Sequence, residues 1–130
     1  MINAQYDLLV RWIKYGIAPP KAPKIAFESE TPPVMARDEL GLVQGGIRLP
    51  EIEVPIALNT GMNSGATFCV LYGTYQPFEP VTLQALYRNH GQYVKAVTRS
   101  AKKNLKAGYI LKEAANELIV EAAFAKVPPK

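Results

Sequence analysis

Proline dominates the middle of this chain. Most of its eleven prolines lie between Pro19 and Pro80, and each fixes φ and removes a backbone N–H, which interrupts helices and sheet ladders. The run IAPPKAPKIAFESETPPVMARDE, residues 17–39, contains five prolines and shows no apolar periodicity. Structureless loops of that length are uncommon inside a compact domain. We therefore expect an irregular middle region that either lies across a larger body or is mobile.

Both ends of the chain have helical patterns. At the N-terminus we predict a helix over residues 3–15, with Asn3 as its N-cap and Gly16 as its stop. The C-terminal part predicts three more helices, which run from Thr82 to Tyr87, from Asn89 or His90 to Gly108, and from Glu113 to Lys126. In the second of these, five residues are expected to face inward: Tyr93, Val94, Val97, Ala101 and Leu105.

Two short strands are predicted between the helical ends. Residues Glu51–Leu58 begin with alternating charged and apolar residues, and Pro55 makes this an edge strand. Residues Thr67–Tyr72 are rich in residues that favour strands. The chain is thus expected to be one α+β segment over residues 1–130, with an N-terminal helix, a proline-rich irregular middle holding two short strands, and three C-terminal helices.

The charge pattern makes a weak case for a nucleic-acid partner. A net charge of +4 attracts anions but identifies no partner. Five basic residues lie on one predicted helix: Lys95, Arg99, Lys102, Lys103 and Lys106. The next helix carries an acidic stripe that would complement them in an antiparallel pair: Glu113, Glu117 and Glu121. No aromatic platform accompanies the basic run, so we interpret it as a solvated face and expect no nucleic acid.

Membrane and redox signals are weak in this sequence. It lacks the run of about 18 apolar residues that a spanning helix needs, so we predict no membrane segment. Its N-terminus lacks the basic region and cleavage site of a signal peptide, and the sequence assigns no cellular location. Cys69 is the only cysteine, which excludes an internal disulfide, and its apolar neighbours predict a buried side chain.

The sequence contains no complete catalytic set. His90 is the only histidine and hence the one candidate general base, but capping or surface exposure explains its place at a predicted helix start. Ser64 lies in GMNSGA, one residue out of register with the G-x-S-x-G turn of serine hydrolases, and we interpret it as a turn residue. One histidine and one cysteine do not make an ordinary zinc site. We expect no metal and no cofactor.

The stretch RDELGLVQGGIRLPEIEVP, residues 37–55, resembles a signature of the alpha/beta hydrolase domain-containing protein family, roughly D-x-x-G-x-x-x-G-G-I-R-L-P-x-V-x-V-P. The chain supplies these positions: Asp38, Gly41, Gly45, Gly46, Ile47, Arg48, Leu49, Pro50, Val54 and Pro55, with Ile52 where Val is usual. The segments LLVRWIKYGIAPPKAPKI, LYGTYQPF and LYRNHGQYVKAV are similar to other family motifs in the same order. LKAGYILKEAANEL resembles the family's ending, with Lys112 for the usual Pro and Ala115 for the usual Asp.

The resemblance implies a larger parent protein with the α/β hydrolase fold. Residues 1–16 look like the helix after the hydrolase sheet, residues 17–80 like a wrapping region of loop and strand, and residues 81–127 like the helical end. The family's serine nucleophile, oxyanion hole and catalytic histidine lie upstream of the matched region, so no catalytic residue is carried onto this chain. The implied partners are the remainder of the hydrolase domain and, for the parent, a small-molecule ester.

Four signature residues form the candidate site. Arg48 can present a two-pronged guanidinium to the carboxylate of Asp38, while Gly45 and Gly46 permit positive φ or close backbone approach. One hypothesis is that residues 38–55 pack beside the active-site mouth of the full enzyme and help to shape it. The alternative is that the Asp38–Arg48 pair only holds the loop.

Two functions stay open at this point. In the first, the chain is the C-terminal portion of a serine-type hydrolase acting on esters or related acyl compounds, and it is inactive alone. In the second, it is a free-standing α+β binding or accessory module without catalysis. Cooperative unfolding of the isolated chain would favour the second function.

Overall fold

The computed structural model describes residues 2–61, 63 and 65–129; the predicted turn residue Ser64 lies outside them. Within these residues the five α-helices are α1 (Ile2–Tyr15), α2 (Pro50–Glu53), α3 (Pro80–Leu86), α4 (His90–Lys106) and α5 (Lys112–Phe124). The four strands of the same residues are β1 (Phe27–Glu30), β2 (Pro33–Met35), β3 (Ala57–Thr60) and β4 (Thr74–Pro77). They pair as β1–β2 and β3–β4. The α+β class is confirmed, with four strands in place of two.

The helix α1 is largely uncovered by the rest of the described chain. Its end is as predicted, because the Gly16 N–H donates to the Trp12 carbonyl at 2.9 Å. Its start differs, since Asn3 lies inside the first turn and does not precede it. Seven of its large apolar side chains are exposed: Ile2, Tyr6, Leu9, Val10, Trp12, Ile13 and Tyr15. Every helix in the described part of the chain is too short or too polar to span a bilayer.

Residues 17–39, predicted as an irregular loop, contain the antiparallel β1–β2 hairpin. A ring of three backbone hydrogen bonds ties this region to the signature. Ala26 N–H donates to Gln44 at 3.0 Å, Gln44 N–H to Ala36 at 2.9 Å, and Ala36 N–H to Ala26 at 2.9 Å. The prediction was wrong here because bonds to a distant segment leave no trace in local periodicity.

The strand predicted over Glu51–Leu58 is wrong in its first half. Helix α2 occupies that part, with Pro50 at its first position and acidic residues in its first turn, which both favour a helix start. The strand β3 begins only after it and pairs with β4, with Ala57 opposite Pro77. The alternation that suggested a strand belongs to one helical turn and the buried Val54 behind it.

The strand predicted over Thr67–Tyr72 is also wrong. Residues 67–71 form a 3₁₀ helix whose side chains are all exposed, and the strand β4 comes after it. Cys69 is exposed too, contrary to its predicted burial. A strand needs a neighbouring edge and a covered face, and within the described chain this apolar run has neither. The local preference for extended structure is therefore overridden.

The helical end of the chain is close to its prediction. Helix α3 begins after Glu79 with Pro80 at its first position, so Thr82 lies inside the helix and is not its cap. Helix α4 begins after Asn89, whose side chain accepts from the Gln92 N–H at 2.8 Å. This cap is confirmed. Helix α5 differs from its predicted bounds by one or two residues at each end, as expected for helix ends.

The core lies mainly between α4, α5 and the residues that follow the signature. Its larger cluster consists of Val54, Leu83, Tyr87, Tyr93, Val97, Ala122 and Val127. A smaller cluster consists of Ala101, Ile110 and Ala115. The predicted inward face of α4 is confirmed, since Tyr93, Val97 and Ala101 are buried and the other two members are partly buried. Helix α4 is therefore the helix against which α5 and α2 pack.

The charged stripes of α4 and α5 do not form ion pairs with each other. In the described chain the basic face of α4 makes one ion pair, from Lys103 Nζ to Glu53 of α2 at 3.9 Å, and the α5 glutamates make none. The packed faces of the two helices are apolar, so both stripes face solvent. The expected complementarity was wrong.

Candidate functional site

Arg48 lies at the centre of the candidate site. Its Nη2 lies 3.6 Å from Asp38 Oδ2, and its Nε donates to Glu53 Oε2 at 3.0 Å. It also donates to two backbone carbonyls, that of Val43 through Nη1 and that of Ile52 through Nη2 at 3.2 Å. A planar guanidinium with five N–H donors suits a junction of this kind. Arg48 thus joins the residues before the paired glycines to α2. We call Arg48 and its four partners the junction: Asp38, Val43, Ile52 and Glu53.

Asp38 and Arg48 lie together, but the predicted two-pronged pair is not formed. The nearer carboxylate is that of Glu53, which no sequence pattern had singled out. Helix α2 turns the chain back, so that the Glu53 carboxylate reaches Arg48, which precedes it by five residues. The signal for this contact was the combination of proline and acidic residues that starts α2, and it was hidden by the strand prediction.

The second carboxylate oxygen of Asp38 binds the backbone. Oδ1 accepts from the N–H groups of Leu40 at 3.1 Å and Leu42 at 2.9 Å. The main chain closes the same turn, since the Gly41 N–H donates to the Asp38 carbonyl at 2.9 Å. Aspartate stabilises turns in this way. Asp38 therefore fixes the turn that precedes the glycines and offers one oxygen to Arg48.

Gly45 combines positive φ with a close backbone approach, whereas Gly46 has positive φ and would meet only a side chain. Their φ values are +73° and +65°. A Cβ on Gly45 would collide with the Lys24 carbonyl oxygen and lie 2.8 Å from the Ala26 nitrogen, and one on Gly46 would lie 3.2 Å from Ile25 Cγ1. The Gly46 N–H donates to the Lys24 carbonyl at 2.9 Å. The paired glycines thus let the signature lie against the segment that leads into β1.

Asn104 attaches this junction to α4. Its Nδ2 donates to the carbonyls of Arg48 and Ser100, both at 3.0 Å, and the residue is only 3% exposed. The sequence prediction missed this residue. The available signal was its place between Ala101 and Leu105 on the predicted buried face of α4, where a polar side chain needs a partner.

Tyr87 holds the far end of the signature. Its hydroxyl donates to the Pro55 carbonyl at 2.9 Å, and its ring meets that of Tyr93 edge-on, with centroids 5.1 Å apart. Burial raises the pKa of the Tyr87 hydroxyl well above its ordinary value, and Tyr93 adds to the shift. The hydroxyl therefore keeps the proton that it donates to the buried carbonyl.

His90 contacts the end of α5 and takes no part in the junction. Its Nδ1 lies 3.1 Å from the Val127 carbonyl and its Nε2 lies 3.2 Å from the Ala123 carbonyl. A general base must reach the hydroxyl that it deprotonates, and among the described residues no hydroxyl or carboxylate hydrogen-bonds to this ring. The ring links the start of α4 to the end of α5, because these two helices are antiparallel.

The junction positions the backbone of residues 38–55. Its guanidinium and carboxylates are paired with one another and with loop carbonyls and amides. Among the described residues no group of three His, Cys, Asp or Glu could hold a metal ion. What the arrangement can do is keep residues 38–55 in one conformation.

One comparison with known proteins matches most of this chain. The family model described as alpha/beta hydrolase domain matches residues 1–120. The matched range includes α1, the whole signature, the junction around Arg48 and most of α5. Neither the curated proteins nor the solved structures that were compared gave a match.

Proposed function

This chain belongs to the alpha/beta hydrolase domain family, and from that membership we propose that it is the C-terminal portion of a serine-type hydrolase acting on esters or related acyl compounds. The observation that carries the proposal is the family match over residues 1–120. The nucleophile, the oxyanion hole and the general base come from the preceding part of the parent protein. The chain alone has no esterase activity.

Within the parent enzyme, residues 38–55 lie beside the active-site mouth and help to shape it. The contacts that support this role are those of Arg48 with Asp38, Glu53 and two carbonyls, because they hold the loop in one conformation. A mouth built on a loop needs such support, since small displacements of a substrate-positioning group are costly in rate. Residues 1–16 and 17–80 supply the surface that covers the hydrolase body.

The exposed apolar side chains of α1 support the proposal that this helix packs against the hydrolase body. Ile13, Tyr15 and Tyr6 are each at least 66% exposed, and all lie on α1, which is largely uncovered and has Ala4 as its buried residue. Exposed apolar clusters mark interaction surfaces. The remainder of the hydrolase domain is the partner that fits this surface under the proposal.

The test starts with the DNA that precedes the Met1 codon. The proposal expects an open frame that encodes G-x-S-x-G and a later histidine. The full product should hydrolyse p-nitrophenyl butyrate and react with a fluorophosphonate at that serine, whereas the 130-residue chain should do neither. A stop codon close upstream, with a ribosome-binding site between, would overturn the proposal and favour the free-standing accessory module.

The role of the junction has its own test in the full product. Arg48→Ala should lower kcat/KM at a temperature well below the unfolding midpoint, because a loosened loop no longer shapes the mouth. Lys103→Ala is the control, since Lys103 contacts the same Glu53 at 3.9 Å from an exposed position. Lowered thermal stability with unchanged kcat/KM would leave Arg48 only the task of holding the loop.

A further inference from the structure

A cleft of about 220 Å³ lies among α2, the β3–β4 hairpin, α4 and α5. Its floor is apolar and includes Val54, Val97 and Ala122, which belong to the main core cluster. Its mouth is polar and includes Glu51, Glu121 and Tyr75. A cleft with an apolar floor and a few converging polar groups is the usual form of a small-molecule site.

The charge of this cleft is opposite to that of the chain. The sequence has 15 basic and 11 acidic residues and a net charge of +4, yet the cleft is lined by two glutamates and by no Lys, Arg or His. Neither glutamate forms an ion pair with any described residue. Two uncompensated carboxylates beside a low-dielectric wall concentrate negative potential and attract cations.

Tyr93 supplies a second and independent sign of a ligand. The residue is only 6% exposed and lines the cleft, and its hydroxyl has no hydrogen-bond partner among the described residues. All four of Tyr93, Tyr75, Glu121 and Glu51 line the cleft. Burial raises the pKa of the Tyr93 hydroxyl, and the other three groups raise it further. The hydroxyl itself is not fully enclosed, and a tyrosine hydroxyl on a buried ring usually has a hydrogen-bond partner, so this one is available to a bound molecule.

We propose that this cleft binds a small primary ammonium compound with an apolar body. The apolar body lies on the floor made by Val97 and its neighbours, and the ammonium group lies at the mouth between Glu51 and Glu121. The hydroxyl of Tyr93 accepts one N–H of the ammonium group, and the exposed ring of Tyr75 contributes a cation–π contact. Glu51 and Val54 belong to residues 38–55, but no residue of the cleft bonds to Arg48, and the site is argued from the cleft alone and not from the proposed hydrolase function.

Three probes with the same carbon chain test the proposal: butylammonium, 1-butanol and butyrate. Each is titrated into the full chain at low salt, and binding is followed by the NMR shifts of the Ala57, Val97 and Ala122 amides. Butylammonium is expected to bind about tenfold more tightly than 1-butanol, and butyrate not at all. Added salt should weaken only butylammonium binding. Equal affinities for butylammonium and 1-butanol would overturn the proposal.

Variants locate the effect within the cleft. Glu121→Gln and Glu51→Gln should each lower the affinity for butylammonium about fivefold. Glu113→Gln is the control and should leave the affinity unchanged, because Glu113 lies on α5 like Glu121 but outside the cleft. If Glu113→Gln weakens binding as much as Glu121→Gln, the cation responds to bulk charge and the site is rejected.

Tyr93→Phe separates ligand binding from folding. It removes a hydroxyl that has no partner among the described residues, so the free chain should keep its thermal stability. Its affinity for butylammonium should fall about threefold through the lost hydrogen bond. Its affinity for tetramethylammonium, which has no N–H to donate, should not change. A parallel loss for both cations would exclude the role given to the hydroxyl.

Discussion

Gly45 combines a conformational requirement with a contact requirement. Its φ of +73° is unfavourable for an L side chain, and the backbone of Lys24 and Ala26 leaves no room for a Cβ. Gly46 has a similar φ, but the atom that its Cβ would meet belongs to the movable side chain of Ile25. The two glycines therefore differ in how far their surroundings can adjust to an added methyl group.

Alanine substitutions should reveal this difference. Gly45→Ala is expected to lower the free energy of unfolding by about 3 kcal/mol or more, because backbone strain and a backbone clash combine. Gly46→Ala should lower it by about 1–2 kcal/mol, mainly through strain. Gly61→Ala is the control, since, apart from its chain neighbours, no atom of the described residues lies within 4 Å of its added Cβ. Urea denaturation measures all three, and equal losses at Gly45 and Gly61 would refute the close approach.

The shape of the Arg48 side chain should matter as much as its charge. Arg48→Lys keeps the charge but loses the simultaneous bonds to Glu53, Val43 and Ile52, so the free energy of unfolding should fall by about 1–3 kcal/mol. Lys103→Ala removes an exposed ion pair and should change it by no more than about 0.5 kcal/mol. Thermal unfolding compares the two. An Arg48→Lys protein with unchanged stability would reduce the junction to a simple charge pair.

At the scale of elements, local signals were sufficient for helices that carry their own caps and stops. Gly16 ends α1 and Asn89 begins α4, as the sequence predicted. The strands failed because their identity depends on a neighbour. The hairpin β1–β2 is tied to the distant signature, while the apolar run Thr67–Tyr72 has no partner edge in the described chain. Periodicity contains neither fact.

The candidate site was predictable only where the resemblance to a family marked it. The resemblance pointed to the four signature residues that the structure places around one junction. Glu53 was missed because α2 was taken for a strand. Asn104 was missed because its bond to the Arg48 carbonyl joins residues far apart in sequence. An asparagine facing water and one that holds a distant loop look alike in a single sequence.

Asn104 should prove to be the link between α4 and the signature. Asn104→Ala removes two hydrogen bonds and leaves the Arg48 carbonyl without its donor, so the free energy of unfolding should fall by about 2 kcal/mol. Asn116→Ala, at an exposed position of α5, is the matched control and should stay within about 0.5 kcal/mol. Hydrogen exchange should accelerate around residues 46–50 in the first variant. Unaltered exchange there would show that the link is not needed.

Tyr87 should make stability fall at alkaline pH. Its pKa is raised in the folded chain by burial, whereas in the unfolded chain it is close to its ordinary value of about 10. Its contribution is therefore complete below about pH 10 and is lost above it, because the unfolded chain ionises first. Urea unfolding at a series of pH values should show a plateau followed by a decline. Tyr87→Phe should weaken that decline, and an undiminished decline would assign it to other groups.

At the scale of the whole molecule, both core clusters lie in the second part of the chain, although that part also exposes large apolar side chains such as Phe68 and Phe124. The buried members of both core clusters lie between Val54 and Val127. None of the described residues of α1 or of the β1–β2 hairpin belongs to either cluster, and both elements leave large apolar side chains exposed, among them Ile13 and Phe27. Such an arrangement suits a segment whose N-terminal part covers another body. Under the proposed function, that body is the remainder of the hydrolase domain.

Trp12 lies on α1, and its fluorescence reports on whether that helix is buried against another body. It is the only tryptophan and is 54% exposed, so the isolated chain should emit close to free tryptophan and be readily quenched by acrylamide. Mixing with the separately expressed preceding portion of the parent should shift the emission to the blue and reduce quenching. Ile13→Asp should weaken that association while changing the stability of the isolated chain by no more than about 0.5 kcal/mol. Blue-shifted, protected emission from the isolated monomer would mean that α1 is already covered within this chain.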